Sequence, residues 1–268
     1  MSNSVISSRD NDRVRHARKV REGQVPDEIF IEGVRLCEQA VQANLQITGV
    51  FHTEHVGFDD RGESLLAEVG KRFSDAIVVT DSVFASLSDT KSPQGIALLA
   101  GRPQADERTF VSAQSDTPLI VIAHRLNNPA NAGAIVRAAE GAGATGLIAT
   151  KGTADIFSAK ALRGAMGSSF RLPIWIGAEL PAAIAMCRSR GIRSICIDAR
   201  ATRAYTECDW TIACAVVVGP EAEGFDSEEI ALSDGALRIP MREPVESLNA
   251  AVATGIVLYE ARRQRINL

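Results

Sequence analysis

Apolar residues along this chain fall into short unbroken runs, separated by stretches with helical spacing. In the first hundred residues the runs are ITGVF (47–51), AIVVT (76–80) and GIALLA (95–100). Between them, VRLCEQAVQAN (34–44) sets Val34, Cys37, Ala40 and Val41 on one helical face. ESLLAEVGKRF (63–73) is amphipathic, and DSVFASLS (81–88) opens with a capping candidate, Asp81 or Ser82. These pieces predict a compact α/β unit. The stretch GRPQADERTFVSAQSDTP (101–118) is polar, has little periodicity, and reads as a linker. A second α/β unit starts at LIVIA (119–123). Its further strand candidates are GLIAT (146–150), LPIWI (172–176), RSICID (193–198), CAVVVG (214–219) and ALRIP (236–240). Helices between them include ELPAAIAMCRSRG (179–191), and a last helix runs from about Leu248 to Arg265. Short apolar strands alternating with helices imply a mostly parallel sheet covered on both faces.

Composition narrows this picture. With 46% hydrophobic and 23% charged residues among 268, the chain buries a real core in one large or two ordinary domains. No apolar run reaches the length of a membrane span, and the first residues lack a signal-peptide core. The expectation is a cytoplasmic protein without membrane contact. Five cysteines, an odd number with no C-x-x-C pair, read as buried free thiols rather than a disulfide framework or zinc site. His52 and His55 in HTEH lack a third ligand and read as a surface loop, so no metal is expected. The net charge of −4 excludes a coat of nonspecific nucleic-acid-binding charge. A local basic segment is nevertheless present: Arg9, Arg13, Arg15, Arg18, Lys19 and Arg21 against Asp10 and Asp12. Charge alone leaves two readings, a solvated helix or an arm that contacts phosphates.

One short motif needs its context. GAGATG (141–146) matches G-x-G-x-x-G, but helix-like residues precede it and strand-like residues follow. A dinucleotide turn requires the reverse order, with the pyrophosphate on the helix N-terminus. The glycines therefore read as a left-handed helix end leading into a strand, after a helix with Asn131 as a plausible N-cap.

Ligands in parallel α/β sheets bind beyond the C-terminal ends of strands, and three such ends carry unusual residues. The first, HRLNNPANAGAIVRAAE (124–140), sets Arg137 roughly opposite Ile135 on a helix of small apolar residues. Arg137 is either half of a structural ion pair or a guanidinium fork for a phosphate. The second, VVVGPEAEGFDSEEI (216–230), runs from a strand into glycines and two glutamates, with a helix starting near Asp226. It has no Gly-Lys-Ser/Thr, so it is not a phosphate-binding P-loop. The third, IPMREPVESLNAAVATGIVLYEARRQR (239–265), passes through a prolyl loop to Ser247-Leu248-Asn249 and a long helix. Ser247 is a candidate cap for that helix.

Together these loops resemble the SpoU/TrmH family of RNA ribose 2′-O-methyltransferases, within the knotted α/β superfamily of S-adenosylmethionine-dependent enzymes. N-x-G-x-x-x-R-x-A is matched by Asn131, Gly133, Arg137 and Ala139. G-x-E-x-x-G is matched by Gly219, Glu221 and Gly224. The I-P-M…S-L-N-x-x-V-A signature is matched by Ile239, Pro240, Met241, Ser247, Leu248, Asn249, Val252 and Ala253. FIEGVRLCEQAV and SPQGIALLA resemble the L30e-like substrate-binding domain that precedes the catalytic domain in one branch of that family. The chain departs from the family pattern at Asn128, where an aspartate is common, at Ala165, where a serine is frequent, and at Ala250-Ala251, where Val-Ser is frequent.

The resemblance implies an L30e-like domain over 1–105, a linker over 106–117, and over 118–268 a trefoil-knotted α/β methyltransferase domain with a mostly parallel sheet. It implies S-adenosylmethionine as cofactor, an RNA substrate with ribosomal RNA favoured, and a homodimer whose active site is completed across the interface. It implies catalytic roles for Asn131, Arg137, Glu221, Ser247 and Asn249. Cofactor contacts are implied for Val218, Gly219, Glu221, Gly224, Ile239, Met241, Ser247 and Leu248. It tilts the basic segment toward RNA, giving Arg9, Arg13, Arg15, Arg18, Lys19 and Arg35 as RNA-binding candidates. A transfer-RNA 2′-O-methyltransferase, a base methyltransferase and a catalytically silent RNA-binding relative stay open as alternatives.

Overall fold

A computed structural model describes residues 5–56, 60–114, 117–220 and 223–266. The chain divides into two compact units, residues 1–103 with 157–170, and 104–156 with 171–268.

The first unit runs α1 (Asp12–Arg21), β1 (Glu28–Glu32), α2 (Val34–Gln42), β2 (Ile47–His52), α3 (Asp60–Arg72), β3 (Ile77–Val78), α4 (Asp81–Leu87) and β4 (Ile96–Gly101). Its sheet has the order β1-β4-β2-β3. β4 is antiparallel to both β1 and β2, whereas β2 and β3 are parallel. α2 buries Val34, Leu36, Cys37, Ala40 and Val41, which contains the whole predicted stripe. α4 is capped one residue earlier than expected: the Thr80 hydroxyl accepts from Val83 N–H at 3.4 Å. Thr80 has the extended backbone that a cap requires, whereas Asp81 is already helical. α7 (Ala159–Ala165) packs on β1 in this unit, although its sequence lies between two strands of the other. Nearby, Gly167 has φ +90° and stands so close to Gln39 that a Cβ would meet the Gln39 side chain at 2.6 Å.

The second unit runs α5 (Glu107–Ser112), β5 (Leu119–Ala123), α6 (Pro129–Ala142), β6 (Gly146–Thr150), β7 (Ile174–Ala178), α8 (Leu180–Ser189), β8 (Arg193–Ile197), β9 (Cys214–Val218), α9 (Ser227–Leu232), β10 (Ala236–Leu237) and α10 (Ala250–Ile266). Its six strands have the order β10-β8-β9-β5-β6-β7, and every pairing is parallel. β5, β6 and β9 are buried along their whole length, as their unbroken apolar runs predict.

Several local expectations are corrected here. The stretch read as a linker contains α5, capped by Asp106, and its Phe110 is fully buried in the core beside Trp175. Phe110, with Ala105 and Val111 packed partly buried beside it, anchors a short segment among polar residues, so periodicity did not reveal it. α6 starts two residues before Asn131, with Asn128 as N-cap and Pro129 in the first turn. Its C-cap is Gly143 at φ 84°, the left-handed end read from GAGATG. α10 begins at Ala250 and is capped by Asn249, not Ser247: Asn249 Oδ1 accepts from Ala251 N–H at 2.9 Å and Val252 N–H at 3.3 Å. All five cysteines are buried, and burial pushes the Cys214 thiol up to about 11. No helix among the described residues is long and apolar enough to cross a membrane.

Candidate active site

In the second unit a cavity of about 830 Å³ opens at the C-terminal ends of β8 and β9. This is the end of a parallel sheet where ligands bind, and the volume falls within the roughly 300–1,000 Å³ usual for small-molecule sites. Val218 and Gly219 leave β9 into the cavity wall, followed by Gly224 and Phe225. Gly219 admits no side chain, because a Cβ there would meet the Phe225 ring at 2.6 Å. Ile239 and Met241 supply a second wall, and Ser247, Leu248 and Asn249 a third. Asn128 and Asn131, from the start of α6, complete it.

The two asparagines of the first and third loops meet. Asn249 Nδ2 donates to Asn131 Oδ1 at 3.1 Å. Since Asn249 Oδ1 also caps α10, one side chain ends a helix and carries a polar contact into the site. Ser247 lines the cavity and is exposed. Arg137 is exposed on α6, on the side away from buried Ile135 and Val136, and is not among the lining residues. Glu221 lies outside the described residues.

Three lining residues carry weight that the sequence reading did not assign: Asp198, Arg200 and Phe225. Asp198 follows β8, and its carboxylate is almost wholly buried. It accepts from Arg200 N–H at 2.7 Å, from Nε at 3.0 Å and from Nη2 at 2.7 Å. The hydrogen-bonded Arg200 guanidinium holds the Asp198 carboxyl below its usual range, so an ion pair is fixed in the wall. Arg200 Nη2 also donates to the Phe225 carbonyl at 2.5 Å, tying the β8 end to the β9 loop. The available signal was positional: Asp-Ala-Arg stands directly after the strand run RSICI.

The basic segment of the first unit is largely engaged within the chain. Arg13 pairs with Asp75 at 2.9 Å, and Arg15 pairs with Asp12. Arg18 reaches the Ser86 hydroxyl at 3.5 Å and the Arg9 carbonyl at 3.3 Å. Arg21, half-hidden, contacts Glu22, Asp89 and the Ser86 carbonyl. Arg9, Lys19 and Arg35 are partly or fully exposed. His52 ends β2, with Nδ1 2.8 Å from the Thr53 carbonyl, and no metal-binding cluster occurs among the described residues.

Comparisons with known proteins identify relatives of the chain. The SpoU rRNA Methylase family matches residues 118–259, and an MRM3-like substrate binding domain matches 13–98. The 23S rRNA (guanosine(2553)-2′-O)-methyltransferase RlmP of Bacillus subtilis is 28% identical over 96% of this chain and 98% of its own length. The mitochondrial rRNA methyltransferase 3 of Mus musculus is 28% identical over 92% of this chain and 70% of its own length. A crystal structure of an RNA 2′-O ribose methyltransferase superposes with a TM-score of 0.84 at 27% identity, covering 98% of this chain and all of that one. The family match spans more than half of the chain and carries all three strand-end loops: this protein belongs to the SpoU rRNA methylase family of RNA methyltransferases.

Proposed function

We propose that the protein transfers a methyl group from S-adenosylmethionine to a ribose 2′-hydroxyl of ribosomal RNA. The observation that carries this reading is the meeting of Asn131, Ser247 and Asn249 at one cavity with Gly219, Ile239 and Leu248. The named activities of the relatives support it. The cavity also fits the cofactor physically. Phe225, Ile239, Met241 and Leu248 offer apolar surface beside the Gly219 backbone, and Asn131, Ser247 and Asn249 offer polar groups.

When bound, S-adenosylmethionine supplies an electrophilic methyl group on a sulfonium. The chain's own residues do the rest. Val218, Gly219, Gly224, Ile239, Met241, Ser247 and Leu248 would hold the cofactor, and the motif assigns Glu221 the same role. Asn131 and Asn249 orient the 2′-hydroxyl, and their mutual hydrogen bond fixes both amides before substrate arrives. Arg137 holds the adjacent phosphate and stabilises the oxyanion that develops as the 2′-hydroxyl proton passes to solvent.

The active site is completed across the interface of a homodimer. Leu248, Val252 and Tyr259 are exposed at and along α10, and Val245 is exposed just before it. A two-fold pair that covers this face removes the apolar residues from water. The order β10-β8-β9 returns the chain across β8 after β9, in keeping with a trefoil-knotted path before α10. Within the first unit, Arg9, Lys19 and Arg35 contact RNA phosphates, joined by Arg13, Arg15 and Arg18. The exposed pairs of Arg13 and Arg15 cost little to exchange. The place of action is the cytoplasm, with the ribosomal RNA.

Calorimetric titration with S-adenosylhomocysteine tests the cofactor site, with about one equivalent bound per chain expected. Nucleoside analysis of ribosomal RNA incubated with enzyme and S-adenosylmethionine then tests the reaction. A 2′-O-methylated nucleoside is expected, and a base-methylated nucleoside would overturn the ribose assignment.

A further inference from the structure

Behind the cavity wall, outside its lining, sits a buried histidine that the reaction does not use. His124 follows β5 and is 6% exposed. Its Nδ1 lies 2.8 Å from Thr150 Oγ1, and its Nε2 lies 2.9 Å from Glu229 Oε1. Its ring is nearly parallel to that of Phe225, with the planes 6° apart and centroids 6.3 Å apart. Phe225 in turn lies against Gly219, closely enough that a Cβ there would overlap its ring. A line of contacts thus runs from the β5 end, through two rings, to the glycine that opens the cofactor wall.

Glu229 makes a second connection. Its Oε2 accepts from Asp226 N–H at 3.1 Å, while Asp226 Oδ1 accepts from Glu229 N–H at 2.7 Å. This reciprocal pair sets the backbone immediately after Phe225. Its Oε1 is shared between His124 and Arg125, with Arg125 Nη2 at 2.7 Å. Arg125 has φ 48°, a left-handed backbone uncommon for a residue with a side chain. The chain then turns toward Asn128 and Asn131.

We propose that His124 is a positioning residue. Through Phe225 and Glu229 it sets the Gly224–Asp226 segment against Gly219, and it couples this wall to the asparagine-bearing loop after β5. The inference rests on the reading of the cavity as the S-adenosylmethionine site. Neither a core packing role nor an ion pair alone accounts for the arrangement. An apolar residue would fill the volume, and Arg125 alone would neutralise Glu229, yet only a ring with two polar nitrogens meets Thr150, Glu229 and Phe225 together.

The test is calorimetric titration with S-adenosylhomocysteine, without RNA, on the full chain and its variants. His124→Ala is expected to weaken binding roughly tenfold, the equivalent of about 1.4 kcal/mol. His124→Gln, which keeps a polar group at the Nε2 position facing Glu229, is expected to recover part of that loss. His124→Phe, which keeps only the ring, is expected to recover less. A core variant on α8, Ile184→Val, matched by thermal melting, is expected to bind like the unaltered protein and so separates positioning from general loosening. Unchanged affinity in His124→Ala would overturn this inference alone, as would equal loss in His124→Ala and His124→Gln. No binding by the unaltered chain would overturn the cofactor reading and this inference with it.

Discussion

The two ends of α10 belong to one continuous helix and do opposite work. At its start, Asn249 is exposed, caps the helix with one amide atom and reaches Asn131 with the other. At its end, Arg265 is spent entirely on the protein. Its guanidinium donates to the carbonyls of Trp210 at 2.7 Å, Ile212 at 2.6 Å, Thr117 at 2.9 Å and Pro118 at 3.3 Å. Gln264 beside it accepts from Trp210 N–H and donates to the Cys208 carbonyl. The difference teaches how a site on loops is kept precise. The exposed cap at the ligand end is backed at the far end by saturated hydrogen bonding to the segments that precede β5 and β9.

The sharpest break is expected at the functional side. Arg137→Ala should lower methyl transfer at least a hundredfold, about the effect of losing one oxyanion donor, with thermal melting unchanged because Arg137 is exposed. Steady-state methylation assays alongside melting curves check this, and near-normal turnover would remove Arg137 from the mechanism.

Arg265→Met should do the reverse. Four carbonyls lose a charged donor, at a cost of about 2–3 kcal/mol, seen as a fall in Tm of roughly 5–10 °C. Affinity for S-adenosylhomocysteine, measured below the melting range, should stay within about twofold of the unaltered protein.

Asn249→Ala falls between the two ends. Loss of the cap costs about 1 kcal/mol of stability. Asn249→Asp keeps the cap oxygen but cannot donate to Asn131. It should therefore melt like the unaltered protein while losing turnover, and a melting loss equal to that of alanine would show that the two roles are not separable.

The smallest effect concerns pH at the anchored end. Arg263 and Gln264 hydrogen bonds hold the Glu260 carboxyl down to about 2, from an ordinary 4.5. A folded-state pKa below the unfolded one adds stability that is present above pH 4.5 and lost as pH falls toward 2. Urea unfolding across that window should show a shallower acid loss in Glu260→Gln than in the unaltered chain.

Much of this was legible in the sequence, for identifiable reasons. β5 and β6 occupy the predicted residues because fully buried parallel strands must be apolar at every position. Gly143 ends α6 as read, because a left-handed C-cap has a local requirement. Short or mixed segments were harder. AIVVT yielded only Ile77–Val78 as strand, and ALRIP only Ala236–Leu237, because edge pairing depends on what lies alongside. α5 was missed, since its place is set by Phe110 entering a core built from residues far along the chain.

The sequence by itself determined the alternation of strands and helices, the three loops at strand ends, and the residue types that mark an RNA methyltransferase. The first two follow from local periodicity and glycine backbone requirements; the last rests on the resemblance of the three loops to the SpoU/TrmH motifs. Only the tertiary structure decided that Asn131 and Asn249, 118 positions apart, share a hydrogen bond. Only it set Asp198, Arg200 and Phe225 around one cavity and His124 behind Phe225. It also gave α7 to the first unit. Such pairings depend on strand order and crossover paths, and those are selected by the summed burial of the whole core rather than by any stretch of neighbouring residues.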